Sequence, residues 1–179
     1  MALLYNDLFC IFYFNPYKAL DKSLPEDAIL VADGGDFVGT ASYILRPRSP
    51  LSWLDPGAYG TLGVGGGFAI GAASVFPDRP IFIIYGDGSC GYSIVELDTL
   101  RRFGFNKVTA LVGNDAKWNQ ILRAQEQLLG SPVANILATL NYEKIAEAFD
   151  STGFVLENPE NDDSVFENAF EGLKQLFLG

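Results

Sequence analysis

The chain has no histidine, only two cysteines and one methionine, and few basic residues for its length. Each shortage excludes something. Without histidine, the commonest general base and the commonest transition-metal ligand are gone. Any bound metal is then a hard, oxygen-liganded ion such as magnesium. Two cysteines, Cys10 and Cys90, cannot build a disulfide framework, and no CxxC pair suggests zinc. The formal net charge of -10 leaves no basic face for nucleic acid. No apolar run reaches membrane-spanning length. The aromatic opening, MALLYNDLFCIFYF, is too short and is broken by Asn6 and Asp7. It also lacks the basic leader and small-residue cleavage site of a secretory signal.

What is present suits a folded domain. Hydrophobic residues make up 49% of the 179 and charged residues 19%, enough for a sizeable core in one domain. Residues 1–20 read as an irregular start, strand or linker, and 21–179 as the domain proper. Ala28–Ala32 (AILVA), Pro80–Tyr85 (PIFIIY) and Lys107–Val112 (KVTALV) are short apolar runs typical of buried strands. Asp36–Leu45, Leu62–Val75, Tyr92–Arg102, Tyr142–Phe149 and Asp163–Phe177 are expected helices. Gly153–Leu156 reads as a short strand, and Arg46–Gly57, with three prolines, as a loop. Glu157–Asp163 reads as an acidic, solvated loop. Apolar strands alternating with helices imply an α/β fold, a doubly wound parallel sheet with helices on both faces. Ligands of such sheets bind at strand carboxyl ends. The polar, glycine-rich turns at 33–36, 86–89 and 113–115 all fall there.

Gly86-Asp87-Gly88-Ser89 carries the clearest chemistry. The glycines permit close backbone approach. Ser89 and the following helix start offer a hydroxyl and free amides to a phosphate. Asp87 offers a hard carboxylate to the magnesium that accompanies a diphosphate. Alone, this run is as easily an ordinary strand-to-helix turn. Asn114 follows Asp87 by 27 positions, after one helix and one strand. That separation returns the chain to the neighbouring strand end. One carboxylate, the Asn114 amide oxygen, the Ala116 carbonyl, two phosphate oxygens and a water complete an octahedral magnesium site. The glycines from Gly57 to Gly71 do not form a dinucleotide fingerprint: Gly63 and Gly65 are followed by Phe68, and Gly65 and Gly67 by Ile70. Close helix packing explains most of them. Cys90 reads as a small buried residue, and Trp53 and Trp118 as packing residues, with Trp118 bordering the substrate side.

The run from Gly86 to Asn114 resembles the signature of thiamine diphosphate enzymes. ILVADGGDFV, PLSWLDPGAYGTLGVGGGFAIGAA, GDGSCGYSIVELDT and ALVGNDAKW together resemble the carboxyl-terminal cofactor domain of the acetolactate-synthase-like branch, the 2-hydroxyacyl-CoA lyases, over roughly residues 15 to 179. The resemblance implies thiamine diphosphate and Mg2+ as cofactors. Asp87, Asn114 and Ala116 are then metal ligands. Gly35, Asp36, Gly86, Gly88, Ser89 and Asn114 belong around the diphosphate. Gly60 offers its carbonyl to the aminopyrimidine, and Leu62 is the apolar wedge that keeps the cofactor bent. No catalytic side chain is expected in this chain, because the activating glutamate of the family lies in an amino-terminal pyrimidine-binding domain. Glu96 and Asp98 read as solvent or packing residues. The resemblance further implies an acyl-CoA or 2-oxo acid substrate, a pyrimidine-binding domain of the same or a partner subunit, and a homodimer or homotetramer. A reducing compartment, including the cytoplasmic side of the endoplasmic reticulum membrane, is compatible with it. Three readings stand: a lyase cleaving 2-hydroxyacyl-CoA to a shortened aldehyde and formyl-CoA, an acetolactate synthase-type transferase, and a non-catalytic cofactor-binding module.

Overall fold

The computed structural model describes residues 2–6 and 14–156. Its centre is a six-stranded sheet: β1 (Ala2–Asn6), β2 (Ile29–Asp33), β3 (Trp53–Leu54), β4 (Ile81–Gly86), β5 (Val108–Asn114) and β6 (Gly153–Leu156). The strand order is β3-β2-β4-β5-β1-β6, and every neighbouring pair is parallel. Seven helices accompany it among the described residues: α1 (Phe14–Ser23), α2 (Asp36–Ile44), α3 (Gly65–Val75), α4 (Asp87–Ser93), α5 (Glu96–Arg102), α6 (Asn119–Leu129) and α7 (Tyr142–Ala148).

Both sheet faces are covered, as the uninterrupted apolar strands require. Side chains alternate along each strand. Leu30, Phe82, Ile84 and Leu111 point to one face and pack with Tyr17 and Leu20 of α1 and Phe37 and Ala41 of α2. Ile29, Val31, Ile81, Ile83 and Val112 point to the other and meet Ala69, Ala72 and Ala73 of α3 and Tyr142 of α7. Each fully buried aliphatic side chain contributes roughly 1.5–3 kcal/mol of transfer free energy. The close approach of α3 depends on its small residues: a Cβ on Gly66 would sit 2.8 Å from Cβ of Glu96 on α5. The expected doubly wound α/β fold is therefore present.

Several boundaries differ from the sequence expectation. The Arg46–Gly57 loop contains the two-residue strand β3. The helix expected over Leu62–Val75 starts at Gly65, because residues 57–59 form a 3-10 turn and the chain then runs irregularly to Val64. The helix expected over Tyr92–Arg102 is two helices, with α4 beginning at Asp87 itself. Helices α1 and α6 were not anticipated. Within the stretch read as an irregular start, residues 2–6 pair with β5 and β6, and α1 begins at Phe14. The acidic loop and the helix expected over Asp163–Phe177 lie outside the described residues.

A buried charge ties α1 to the loop after α2. Asp21 accepts from the main-chain N–H of Arg46 at 2.8 Å, from Nε of Arg46 at 2.8 Å and from Nη1 of Arg48 at 3.3 Å. Burial pushes its carboxyl up, but these donors outweigh burial and hold its pKa below the ordinary carboxylate value. No helix among the described residues is long and apolar enough to cross a membrane.

Candidate functional site

From β2 the chain steps outward to β3 and then back past β2 to β4. The strand order reverses between β2 and β4, and open α/β sheets bind ligands at that point. A cleft of about 590 Å³ opens there, lined by the ends of β2, β4 and β5 and by the loops before α3 and α6. Of the residues singled out from the sequence, Gly35, Asp36, Gly60, Leu62, Gly86, Asp87, Gly88 and Ser89 all line it. Asn114 and Ala116 do not. Asn114 is buried at the end of β5, one position past the Gly86–Gly113 pair that joins the strands, and Ala116 follows in the next loop.

The metal-ligand candidates have distinctive surroundings. Asp87 is 5% exposed; its Oδ1 accepts from the N–H of Gly88 at 2.7 Å, and its Oδ2 has no partner among the described residues. Burial pushes its pKa up to about 6, and the charge of Asp115 adds to this. The N–H groups of Gly88, Ala116 and Lys117 act the other way, though the last two close no hydrogen bond to Oδ2. Asn114 donates Nδ2 to the Leu140 carbonyl at 2.9 Å, and its Oδ1 is likewise buried without a partner. Such orphaned oxygens are costly, since each forfeits its hydration. Two of them at adjacent strand ends suit a hard cation, which oxygen donors bind. The donor set is mixed, and the described residues hold no cluster of three or more histidines, cysteines and acids. Ala116 has φ 54°, a left-handed backbone that alanine rarely adopts, and its carbonyl accepts from the Leu137 N–H at 2.8 Å. One lone pair of that carbonyl is left for a metal.

The phosphate side follows from α4. Its first turn, Asp87–Ser89, lines the cleft with the amides that a helix start leaves without intrahelical partners, of which that of Gly88 donates to Asp87 Oδ1. Ser89 differs from the expectation in one respect. It is 1% exposed, and its hydroxyl is engaged by the carbonyls of Asp33 and Gly86. What it has free for a ligand is its amide. Gly88 is required by packing, because a Cβ there would lie 2.3 Å from the ring of Trp118. Asp36 begins α2 and pairs with Arg123 of α6, so its charge is balanced at the cleft edge.

Sequence reasoning missed several cleft residues. Trp53 donates its ring N–H to Asp55 at 2.7 Å, and Asp55 also accepts from the Gly57 N–H at 2.6 Å. This shapes the turn that leads to Gly60, whose φ is 59°. Lys117, Gln120 and Ile121 also line the cleft. Gln120 and Ile121 belong to the unrecognised helix α6, and Lys117 to the loop that leads into it. Tyr142 of α7 donates its hydroxyl to the Asp87 carbonyl at 3.0 Å. The half-buried Asp115 has a raised pKa, burial outweighing the charge of Lys117.

Residues 33–178 match the family described as "Thiamine pyrophosphate enzyme, C-terminal TPP binding domain". The chain is 56% identical to "2-hydroxyacyl-CoA lyase 2" of Caenorhabditis elegans over 84% of its own length and 24% of that protein's. It is 48% identical to the human protein of that name over 91% of its length and 26% of the relative's. A "Probable acetolactate synthase" of Mycobacterium bovis is 34% identical over 86% of the chain and 28% of the relative. The chain thus spans about a quarter of the length of these curated relatives. The solved thiamine diphosphate-dependent 4-hydroxybenzoylformate decarboxylase of Rhodococcus jostii superposes with a TM-score of 0.77, covering 93% of this chain and 30% of that one, at 20% identity. That likeness speaks for the fold. With a matching family description over most of its length, the chain belongs to the thiamine pyrophosphate enzymes, as their C-terminal cofactor-binding domain.

Proposed function

We propose that this chain holds Mg2+ and the diphosphate of thiamine diphosphate for a carbon–carbon lyase that acts on 2-hydroxyacyl-CoA. The observation that carries the reading is the pair of orphaned, buried oxygens, Asp87 Oδ2 and Asn114 Oδ1, beside a cleft lined by the first turn of α4. Asp87, Asn114 and the Ala116 carbonyl hold the metal. Gly88 and Ser89 contact the diphosphate, Ser89 through its amide, while the Gly88 amide is held by Asp87 Oδ1. Gly35 and Gly86 let it approach the main chain, and Asp36, neutralised by Arg123, stands at the edge. Gly60 and Leu62 form the opposite wall, one offering a carbonyl to the aminopyrimidine and the other an apolar prop beneath the bend. Bound thiamine diphosphate supplies a carbanion that adds to a carbonyl and stores its electrons. This chain orients the cofactor and contributes no proton-transfer group. The activating glutamate comes from a pyrimidine-binding domain of the same or a partner subunit, within a homodimer or homotetramer. Identities of 48–56% to the lyases, against 34% to the acetolactate synthase, favour the lyase over the transferase.

The test is calorimetric titration with thiamine diphosphate, with and without Mg2+, followed by assays with a 2-hydroxyacyl-CoA and with pyruvate. Magnesium-dependent binding, with release of formyl-CoA and a shortened aldehyde, is expected. Acetolactate from pyruvate would support the transferase. Binding without turnover on either substrate, in the presence of a pyrimidine-binding domain, would leave a cofactor-binding module.

A further inference from the structure

Asp33 ends β2 and is fully buried. A buried carboxylate is costly unless hydrogen bonds compensate it. Its compensation comes from main-chain donors rather than from a cation. Oδ1 accepts from the N–H of Gly63 at 3.0 Å, and Oδ2 from the N–H of Gly65 at 2.7 Å. Gly63 lies in the loop that follows Gly60 and Leu62; Gly65 is the first residue of α3. The carbonyl of the same Asp33 accepts from the hydroxyl of Ser89, on α4. One residue therefore grips the loop on one side of the cleft with its side chain and the Gly86–Ser89 turn on the other with its main chain.

An apolar residue would end β2 at lower cost in burial. A charge kept at this position instead fixes a distance between two loops. We propose that Asp33 is a positioning residue that sets the Gly60–Leu62 wall at a fixed offset from the phosphate seat at Gly86–Ser89. The inference rests on the cofactor reading above and adds a physical consequence to it. A ligand that spans both walls depends on the offset. A ligand that fills only the phosphate seat does not.

The two kinds of ligand are thiamine diphosphate and inorganic diphosphate, each titrated calorimetrically with Mg2+ in the protein as its source cell makes it. Asp33→Asn preserves shape but turns one accepting oxygen into an amide that faces an N–H. The expected result is a Kd for thiamine diphosphate raised about tenfold or more, with that for inorganic diphosphate changed by no more than about twofold. Equal weakening of both probes, or no weakening of either, overturns the proposal while leaving the cofactor reading intact. An unmutated protein that binds neither probe sinks both. Should Asp33→Asn fail to fold, hydrogen exchange on the unmutated, cofactor-free protein decides. Protected amides at Gly63 and Gly65 support a preset loop, and exchange at the rate of unstructured chain overturns it.

Discussion

The side-chain oxygens Asp87 Oδ2 and Asn114 Oδ1 stand at the ends of neighbouring parallel strands, both buried and both without a hydrogen-bond partner among the described residues. A protein interior keeps such atoms only at a cost. Asp87→Asn removes the charge and keeps the shape. The metal-free variant is expected to melt at or above the temperature of the parent, as happens when a functional site gives up strain. Adding Mg2+ with thiamine diphosphate should raise the melting temperature of the parent and leave that of the variant unchanged. A matching rise in both would remove Asp87 from the metal site. Scanning calorimetry with and without a chelator measures this.

Gly88 and Trp118 are mutually dependent, since any Cβ at 88 intrudes on the indole ring. Gly88→Ala should destabilise the fold by about 1–3 kcal/mol, the usual cost of overpacking. Trp118→Ala in the same chain should recover part of that loss, giving a positive coupling in a double-mutant cycle. Strict additivity by urea denaturation would show that the ring swings away without cost.

Tyr142 reaches back from α7 to the carbonyl of Asp87, and the neighbouring Leu140 holds the Asn114 amide. Tyr142→Phe loses one buried hydrogen bond, worth about 1 kcal/mol of stability. Because that bond ends on the main chain of a candidate ligand, weaker Mg2+ retention should accompany it. Magnesium titration monitored by thermal shift would show the effect, and unchanged retention would confine Tyr142 to packing.

Asp21 supplies a pH dependence away from the cleft. Its folded pKa lies below the ordinary carboxylate value, so its contribution is full above about 3.8 and is lost as pH falls through the folded value. Asp21→Asn should lower stability at pH 7 by about 1–3 kcal/mol, leaving Arg48 without its carboxylate. The deficit should shrink as pH falls below about 3.8 and through the lowered folded pKa, where the parent carboxylate takes up its own proton. Denaturation midpoints compared at pH 7 and pH 3 decide; an equal gap at both would sink the assignment.

The three apolar strands at the centre of the sheet were legible because each is a continuous buried run that stops at a glycine-rich turn. That the chain returns Asp87 and Asn114 to neighbouring strand ends was legible from their separation, although two helices, α4 and α5, rather than one lie between them. Other features left no such mark. In α6 Ile121, Leu122, Leu128 and Leu129 do share one helical face, but only Leu122 is buried and the other three are exposed, so the face is short and not that of a core helix. Strand β3 is two residues long, held by pairing with Leu30 and Val31 rather than by its own pattern. The role of Asp33 depends on amides 30 and 32 residues away, and no local pattern encodes such contacts. The inward turn of the Ser89 hydroxyl likewise depends on the carbonyl of a distant strand.

The two tryptophans of the chain, Trp53 and Trp118, both border the cleft. Indole emission responds to polarity and to nearby charge. Any molecule that settles between these rings therefore alters essentially the whole tryptophan fluorescence of this domain, which thus carries an optical gauge of its own occupancy without a label.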